Sequence, residues 1–256
     1  MNTRLTTLAT VALMLSFPAW AASGPGNSTT TPEANSATNS SLAAQTARLQ
    51  DMSGASGRRT SEIEQRGGGN LAEVTQGGNA QRSRIYQSGD NVRASVEQSG
   101  DQNDAYISQH YGMSDMADIQ QLNGQANNAL IEQSEYYGHN NQATILQSSA
   151  NLSDALINQN GESNDAQIEQ TYSNQVSSVI YQDGIENIAK VTQLNADTSA
   201  AYVYQSGTGH EAYVMQGNRL LENSLNNTAT IRQSGSAAMA HVYQDGAHNT
   251  AITTQW

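Results

Sequence analysis

Ala94, Val96 and Gln98 alternate with Ser95 and Glu97, and the same alternation returns at Ala105, Ile107 and Gln109 and again at Ala166, Ile168 and Gln170. A small residue, a β-branched residue and a glutamine at i, i+2 and i+4 share one face of an extended strand. The residues between them are mostly polar or Tyr, which suits a solvated opposite face. The pattern occurs seventeen times, ending at Gln65, Gln76, Gln87, Gln98, Gln109, Gln121, Gln133, Gln147, Gln159, Gln170, Gln182, Gln193, Gln205, Gln216, Gln233, Gln244 and Gln255. Segments rich in Gly, Asn, Asp and Ser, such as Ser99 to Asp104, separate one copy from the next, and this is turn chemistry. A spacing near eleven residues also fits three helical turns. Gly and Asn recur within every such run, however, and the branched residues keep a period of two, so strands are predicted.

A strand that returns this regularly predicts a repeat architecture. Two strands and their turns make a coil of roughly 23 residues, and seventeen strands make eight coils and a half. With strands about 4.8 Å apart the stack is ~40 Å tall. The predicted fold is all-β, a two-strand-per-coil β-solenoid with cross-β stacking over residues 61–256. Each Gln would lie above the Gln of the neighbouring coil, where side-chain amides donate and accept along the axis.

Composition supports a thin, stacked core. The only Phe is Phe17, and the two Trp residues are Trp20 and Trp256. All three prolines, Pro18, Pro25 and Pro32, precede the repeats, which leaves the backbone N–H groups of the repeat region available for ladders. Residues 1–21 carry Arg4, an apolar run from Leu8 to Phe17 and a small-x-small site ending at Ala21. They are expected to be a secretory signal cleaved after Ala21, too short to span a bilayer. Residues 22–60 show no period and are expected to be a disordered polar leader.

The formal charge of −12, with Lys190 the single lysine, argues against nucleic acid or an anionic membrane as partner. No Cys is present, and His110, His139, His210, His241 and His248 lack metal-ligand spacing. Neither a nucleophile elbow nor a phosphate loop occurs. Gly67 to Asn70 lacks the Asp of a calcium β-roll. No enzyme activity, cofactor or metal is expected.

The turns carry the more specific signature. Gln-x-Gly-x-x-Asn-x-Ala-x-x-x-Gln occurs intact from Gln65, Gln98, Gln159, Gln182 and Gln244, with glycines Gly67, Gly100, Gly161, Gly184 and Gly246. Once, from Ser153 through Gln159, Asn164 and Gln170, the string appears with its leading Ser. This resembles the repeat of the curlins, subunits of the extracellular amyloid fibres called curli, and the resemblance covers residues 61–256. It implies a secreted, fibre-forming homopolymer at the cell surface. It also implies partners: a nucleator curlin, a periplasmic chaperone and a dedicated outer-membrane secretion pore. By the resemblance the terminal residues Gln65, Asn70, Gln76, Gln244, Asn249 and Gln255 template assembly, and Gln159, Asn164 and Gln170 stack within it.

The acidic charge and the aromatic end at Trp256 resemble the major subunit more than the minor, nucleating one. The chain departs from curlins in having more repeats, in long spacings from Gln133 to Gln147 and from Gln216 to Gln233, and in displaced or missing turn Asn at Asn91 and His210. Turn aspartates Asp90, Asp101, Asp104, Asp154, Asp165 and Asp183 are expected to slow premature stacking by repulsion, or simply to form turns. Tyr86, Tyr106, Tyr181, Tyr202, Tyr204, Tyr213 and Tyr243 are expected to point outward. The alternatives are the minor, nucleating subunit of the same fibres and a monomeric, secreted β-solenoid adhesin. The adhesin would stay soluble where a curlin forms fibrils.

Overall fold

The computed structural model describes residues 59–134, 139–217 and 224–256. The signal sequence with Ala21, nearly all of the leader and the middles of both long inter-strand segments lie outside these residues. The first stretch holds β1 (Thr60–Arg66), β2 (Leu71–Gln76), β3 (Arg82–Asp90), β4 (Arg93–Asp101), β5 (Asp104–Met113), β6 (Met116–Gln125) and β7 (Asn128–Ser134). The second holds β8 (Gln142–Ser148), β9 (Asp154–Glu162), β10 (Asp165–Thr171), β11 (Ser177–Ile185), β12 (Ile188–Leu194), β13 (Ala196–Asp197), β14 (Ala200–Thr208) and β15 (Glu211–Gly217). The third holds β16 (Ser224–Leu225), β17 (Thr228–Ser236), β18 (Met239–Gln244) and β19 (Thr250–Gln255).

These strands alternate between two parallel sheets. One has nine strands in the order β1-β3-β5-β7-β9-β11-β14-β17-β19, and the other has eight, in the order β2-β4-β6-β8-β10-β12-β15-β18. The fold is therefore an all-β solenoid with two strands per coil, and no helix occurs among the described residues. β13 and β16 form a small third sheet at one corner.

Every repeat glutamine pairs with the glutamine of the neighbouring coil. In the nine-stranded sheet, for instance, Gln65 aligns with Gln87, Gln133 with Gln159, Gln159 with Gln182 and Gln205 with Gln233. This register survives both long spacings. A slip of one residue would turn the apolar column outward, so a continuous core fixes the register.

That core lies between the sheets. Ala94, Val96, Ala105, Ile107, Ala117, Ile119, Ala129 and Ile131 continue into Ala229, Ile231, Ala240 and Val242 as one buried cluster. Small and branched residues alternate so that each coil is one thin layer, and the layers stack without a large aromatic.

The expectation of a solvated outer face needs correction at one place. Tyr106, Leu130, Leu156 and Val179 are buried together on the outer face of the nine-stranded sheet, with Tyr202 packed against them. Their spacing, one residue after the core Ala or Ser of each repeat, brings them into a single column across the sheet. Period two alone predicts polar residues there. The column becomes visible only when successive coils are aligned.

Candidate functional site: amide ladders and open ends

The repeat glutamines form two ladders. In one, Nε2 of Gln65 donates to Oε1 of Gln87 at 2.7 Å, Gln109 to Gln133 at 2.8 Å, Gln159 to Gln182 at 2.9 Å and Gln233 to Gln255 at 2.8 Å. In the other, Gln76 donates to Gln98 at 2.8 Å, Gln121 to Gln147 at 2.8 Å and Gln216 to Gln244 at 2.8 Å. Every rung donates toward the C-terminal end. The remaining amide hydrogen crosses the coil: Gln98 reaches the Arg82 carbonyl at 3.0 Å, Gln159 that of Gln142 at 2.8 Å and Gln205 that of Ile188 at 2.9 Å. Each Gln thus ties coil to coil and sheet to sheet. Gln87, Gln159 and Gln182 are wholly buried, and an unpaired buried amide costs about 1–3 kcal/mol, so the ladders hold register as well as adding stability.

Asparagines perform the same task at the corners. Asn164 accepts the backbone N–H of Asn187 on Oδ1 at 3.1 Å and donates through Nδ2 to the Gly184 carbonyl at 2.9 Å. Asn141 does this for Asn164 and Gly161, and Asn227 for Asn249 and Gly246. Where Asn is missing, other groups take the column. His210 accepts the Ala238 N–H on Nδ1 at 3.2 Å, and Ser199 accepts that of Asn227 on Oγ at 3.1 Å. Beside Asn91, which has a φ of +58°, it is Val92 whose N–H reaches Asn70 Oδ1 at 3.2 Å.

Asp115 also stands in this column. Its Oδ1 accepts the Asn141 N–H at 2.9 Å, while its Oδ2 has no hydrogen-bond partner among the described residues. Burial pushes its carboxyl up to about 6, against smaller lowering effects from the Asn141 N–H and the His139 charge.

Glycine is required at the corners by close approach. A Cβ on Gly161 would lie 1.9 Å from the Gly184 carbonyl oxygen, one on Gly184 1.9 Å from that of Gly207, and one on Gly100 2.2 Å from that of Gly124. Gly67 meets the Gly89 carbonyl in the same way, whereas Gly246 has nothing within 4 Å. The residue before each corner Asn is left-handed too, as in Gln102, Ser163, Glu186 and His248, with φ between 56° and 61°. This second special position is not marked by any one residue type, and sequence reasoning missed it.

The turn aspartates are tied to the preceding coil. Asp90 accepts the Gly68 N–H at 2.8 Å, Asp101 the Asn79 side chain at 3.1 Å, Asp154 the Asn128 amide at 2.7 Å and Asp183 the Asn160 amide at 3.0 Å. Burial raises the Asp154 carboxyl to about 6, with the Asn128 amide opposing, and raises that of Asp165, where Lys190 opposes. Asp104 pairs with Arg82 through Nε–Oδ1 at 2.6 Å and a second, shorter contact from Nη2 to Oδ2. No sequence signal marks this bidentate pair, because Arg82 and Asp104 become neighbours only after a full coil.

Of the outward tyrosines, Tyr243 is exposed, Tyr213 stacks on His241 at 4.7 Å and Tyr86 on His110 at 4.7 Å. Tyr106 is buried, as described above. The predicted terminal residues lie at the two ends of the described solenoid. Among the described residues, β1 and β2 pair only on the side toward β3 and β4, and β18 and β19 only toward β15 and β17. Among the described residues, Oε1 of Gln65 and Gln76 accepts no hydrogen bond. The tip amides of Gln244 and Gln255 donate only across the coil, to Thr228 and Met239, both at 2.9 Å. One end therefore presents two side-chain acceptors and the other two donors.

No curated protein matches the chain. Residues 89–122, which run from the end of β3 through β4 and β5 to Leu122 in β6, match the family described as Curlin associated repeat. These coils, with their Gln and Asn ladders, continue in the same register to both ends of the described solenoid, so the matched stretch is similar to the Curlin associated repeat and its neighbours repeat the same geometry.

Proposed function

We propose that the chain is a structural, non-enzymatic subunit of extracellular curli-type amyloid fibres, exported through the periplasm and assembled end to end. The observation that carries this reading is the pair of open, complementary ends. Unpaired parallel edge strands at both ends of a repeat stack are templates for further pairing, and here the ladder acceptors at one end match the ladder donors at the other. Of the two fibre roles, the major subunit is favoured by the acidic charge and by the full repeat strand at β19. Adhesion, cell aggregation and biofilm matrix formation follow from a fibre at the cell surface. A nucleator curlin, a periplasmic chaperone and an outer-membrane secretion pore belong to this reading as partners.

The test is to dilute residues 22–256 from denaturant to micromolar concentration and follow thioflavin T, with fibre diffraction of the product. A lag, growth, and reflections near ~4.7 Å and ~10 Å are expected. A β-rich monomer that stays dark, and stays dark when preformed seeds are added, would replace the fibre subunit with a monomeric adhesin.

A further inference from the structure

The seventeen repeat strands divide nine to one sheet and eight to the other. β19 therefore tops the nine-stranded sheet, and β18 tops the other half a coil lower. If a second copy were placed on this end in the same orientation, its β1 would rest on β19. Its β2 would then stand two strand spacings above β18, leaving a slot of about 10 Å in place of ~4.8 Å. Gln244 would face that slot with its donor unmet.

Turning the second copy by half a turn about the solenoid axis removes the slot. Strands run parallel within each sheet, and consecutive strands run in opposite directions because each coil returns on itself. Half a turn exchanges the two sides and reverses the strands, so the incoming β1 arrives over β18 in the same sense and β2 arrives over β19. Resting on the end-to-end reading above, we infer that successive copies in the fibre are related by half a turn, with β1 docked on β18 and β2 on β19.

The corners support the same placement independently. It brings the arc from Gln65 to Asn70 onto the arc from Gln244 to Asn249, and both are intact Gln-x-Gly-x-x-Asn strings of equal length. Gln65 falls over Gln244, Gly67 over Gly246, Asn70 over Asn249 and Gln76 over Gln255. Both ladders then continue, with Gln244 donating to Gln65 and Gln255 to Gln76 of the next copy. Asn249, whose Nδ2 reaches only the Asp245 carbonyl at 2.8 Å, becomes free to act on the incoming arc as Asn164 acts on its neighbour. Gly246 has open space above it, whereas Gly161 and Gly184 have the next glycine carbonyl there. The same alignment sets Glu62 opposite His241. Placement without rotation sets Glu62 opposite Ile252.

The last pairing supplies the test. The chain has no cysteine, and residues opposite each other on adjacent parallel strands lie within the usual Cα separation for a disulfide. Two doubly substituted forms of the exported chain, E62C/H241C and E62C/I252C, are assembled, oxidised and dissociated under non-reducing denaturing conditions. Covalent oligomers from E62C/H241C fibres and monomers from E62C/I252C fibres are expected. The reverse pattern, or fibres in which neither pair links, would overturn the half-turn while leaving end-to-end assembly standing. Failure of the unsubstituted chain to form fibres would overturn both. Electron cryomicroscopy of unmodified fibres gives a second reading, in which the half-turn requires subunits repeating every ~41 Å with alternating orientation.

Discussion

Asp115 lies one coil below Asn141 in the corner column, and its carboxylate oxygen Oδ1 accepts the Asn141 backbone N–H at 2.9 Å where, one coil on, the Asn141 amide oxygen serves Asn164. Its ordinary value of 3.8 is raised to about 6 by burial. A carboxyl held above its unfolded value binds its proton more tightly when folded, so the penalty is absent below about 4, grows between about 4 and 6, and is complete above about 6. The difference corresponds to about 3 kcal/mol. Asp154 acts with the same sign. The expected result is that Asp115→Asn raises stability by about 1–3 kcal/mol at pH 7.5 and changes little at pH 4, read from denaturant midpoints at both pH values.

Removing an interior ladder glutamine should cost far more than removing a terminal one. Gln159→Ala leaves one N–H of the Gln133 amide without an acceptor, leaves Gln182 Oε1 without its donor and opens a cavity. A loss of about 3–5 kcal/mol is expected. Gln65→Ala ends one rung at an exposed tip and should cost under about 1 kcal/mol of solenoid stability while slowing elongation from seeds. Equal losses at the two positions would mean that the ladder does not hold the coils.

The corner glycines should separate in the same way. Gly161→Ala drives a Cβ into the Gly184 carbonyl and should prevent regular stacking of that coil, seen as loss of hydrogen-exchange protection on both sides of it. Gly246→Ala meets only the strain of a φ of +82°, about 1 kcal/mol, within one molecule. Its main effect should fall on seeded growth rate, because the half-turn arrangement places the next glycine directly above it.

Arg82 and Asp104 form a largely buried bidentate pair between the second and third coils. Asp104→Ala leaves the guanidinium without its main counter-charge and should cost about 3 kcal/mol, whereas replacing both residues with apolar ones should cost much less. A double-mutant cycle by denaturant unfolding measures the difference.

Much of this architecture was legible because one strand contains the whole instruction: Ala, Ile or Val, and Gln at alternate positions fix the face, the register and the column. Seventeen copies then left little freedom in how they stack. What stayed hidden depends on neighbours a full coil away. The buried outer column from Tyr106 to Val179, the Arg82 and Asp104 pair, and Asp115 in an asparagine column each join residues 22 or more positions apart. The left-handed residue before each corner Asn stayed hidden for another reason, since Gln102, Ser163 and Glu186 share no chemistry that announces it.

Nearly identical layers also make each coil a competitor for its neighbour's place. A chain that slips by one whole coil during folding still sets Gln on Gln and Ile on Val, so the repeated contacts barely distinguish the native alignment from its displaced copies. The exceptions supply the difference. Ser178 stands buried where most coils carry Ala, accepting from Gln170 at 3.1 Å and donating to Gln193 at 2.7 Å, and a one-coil slip separates Arg82 from Asp104. Such irregular layers act as landmarks in an otherwise degenerate landscape. A version of this protein made perfectly uniform would stack as well and fold less faithfully.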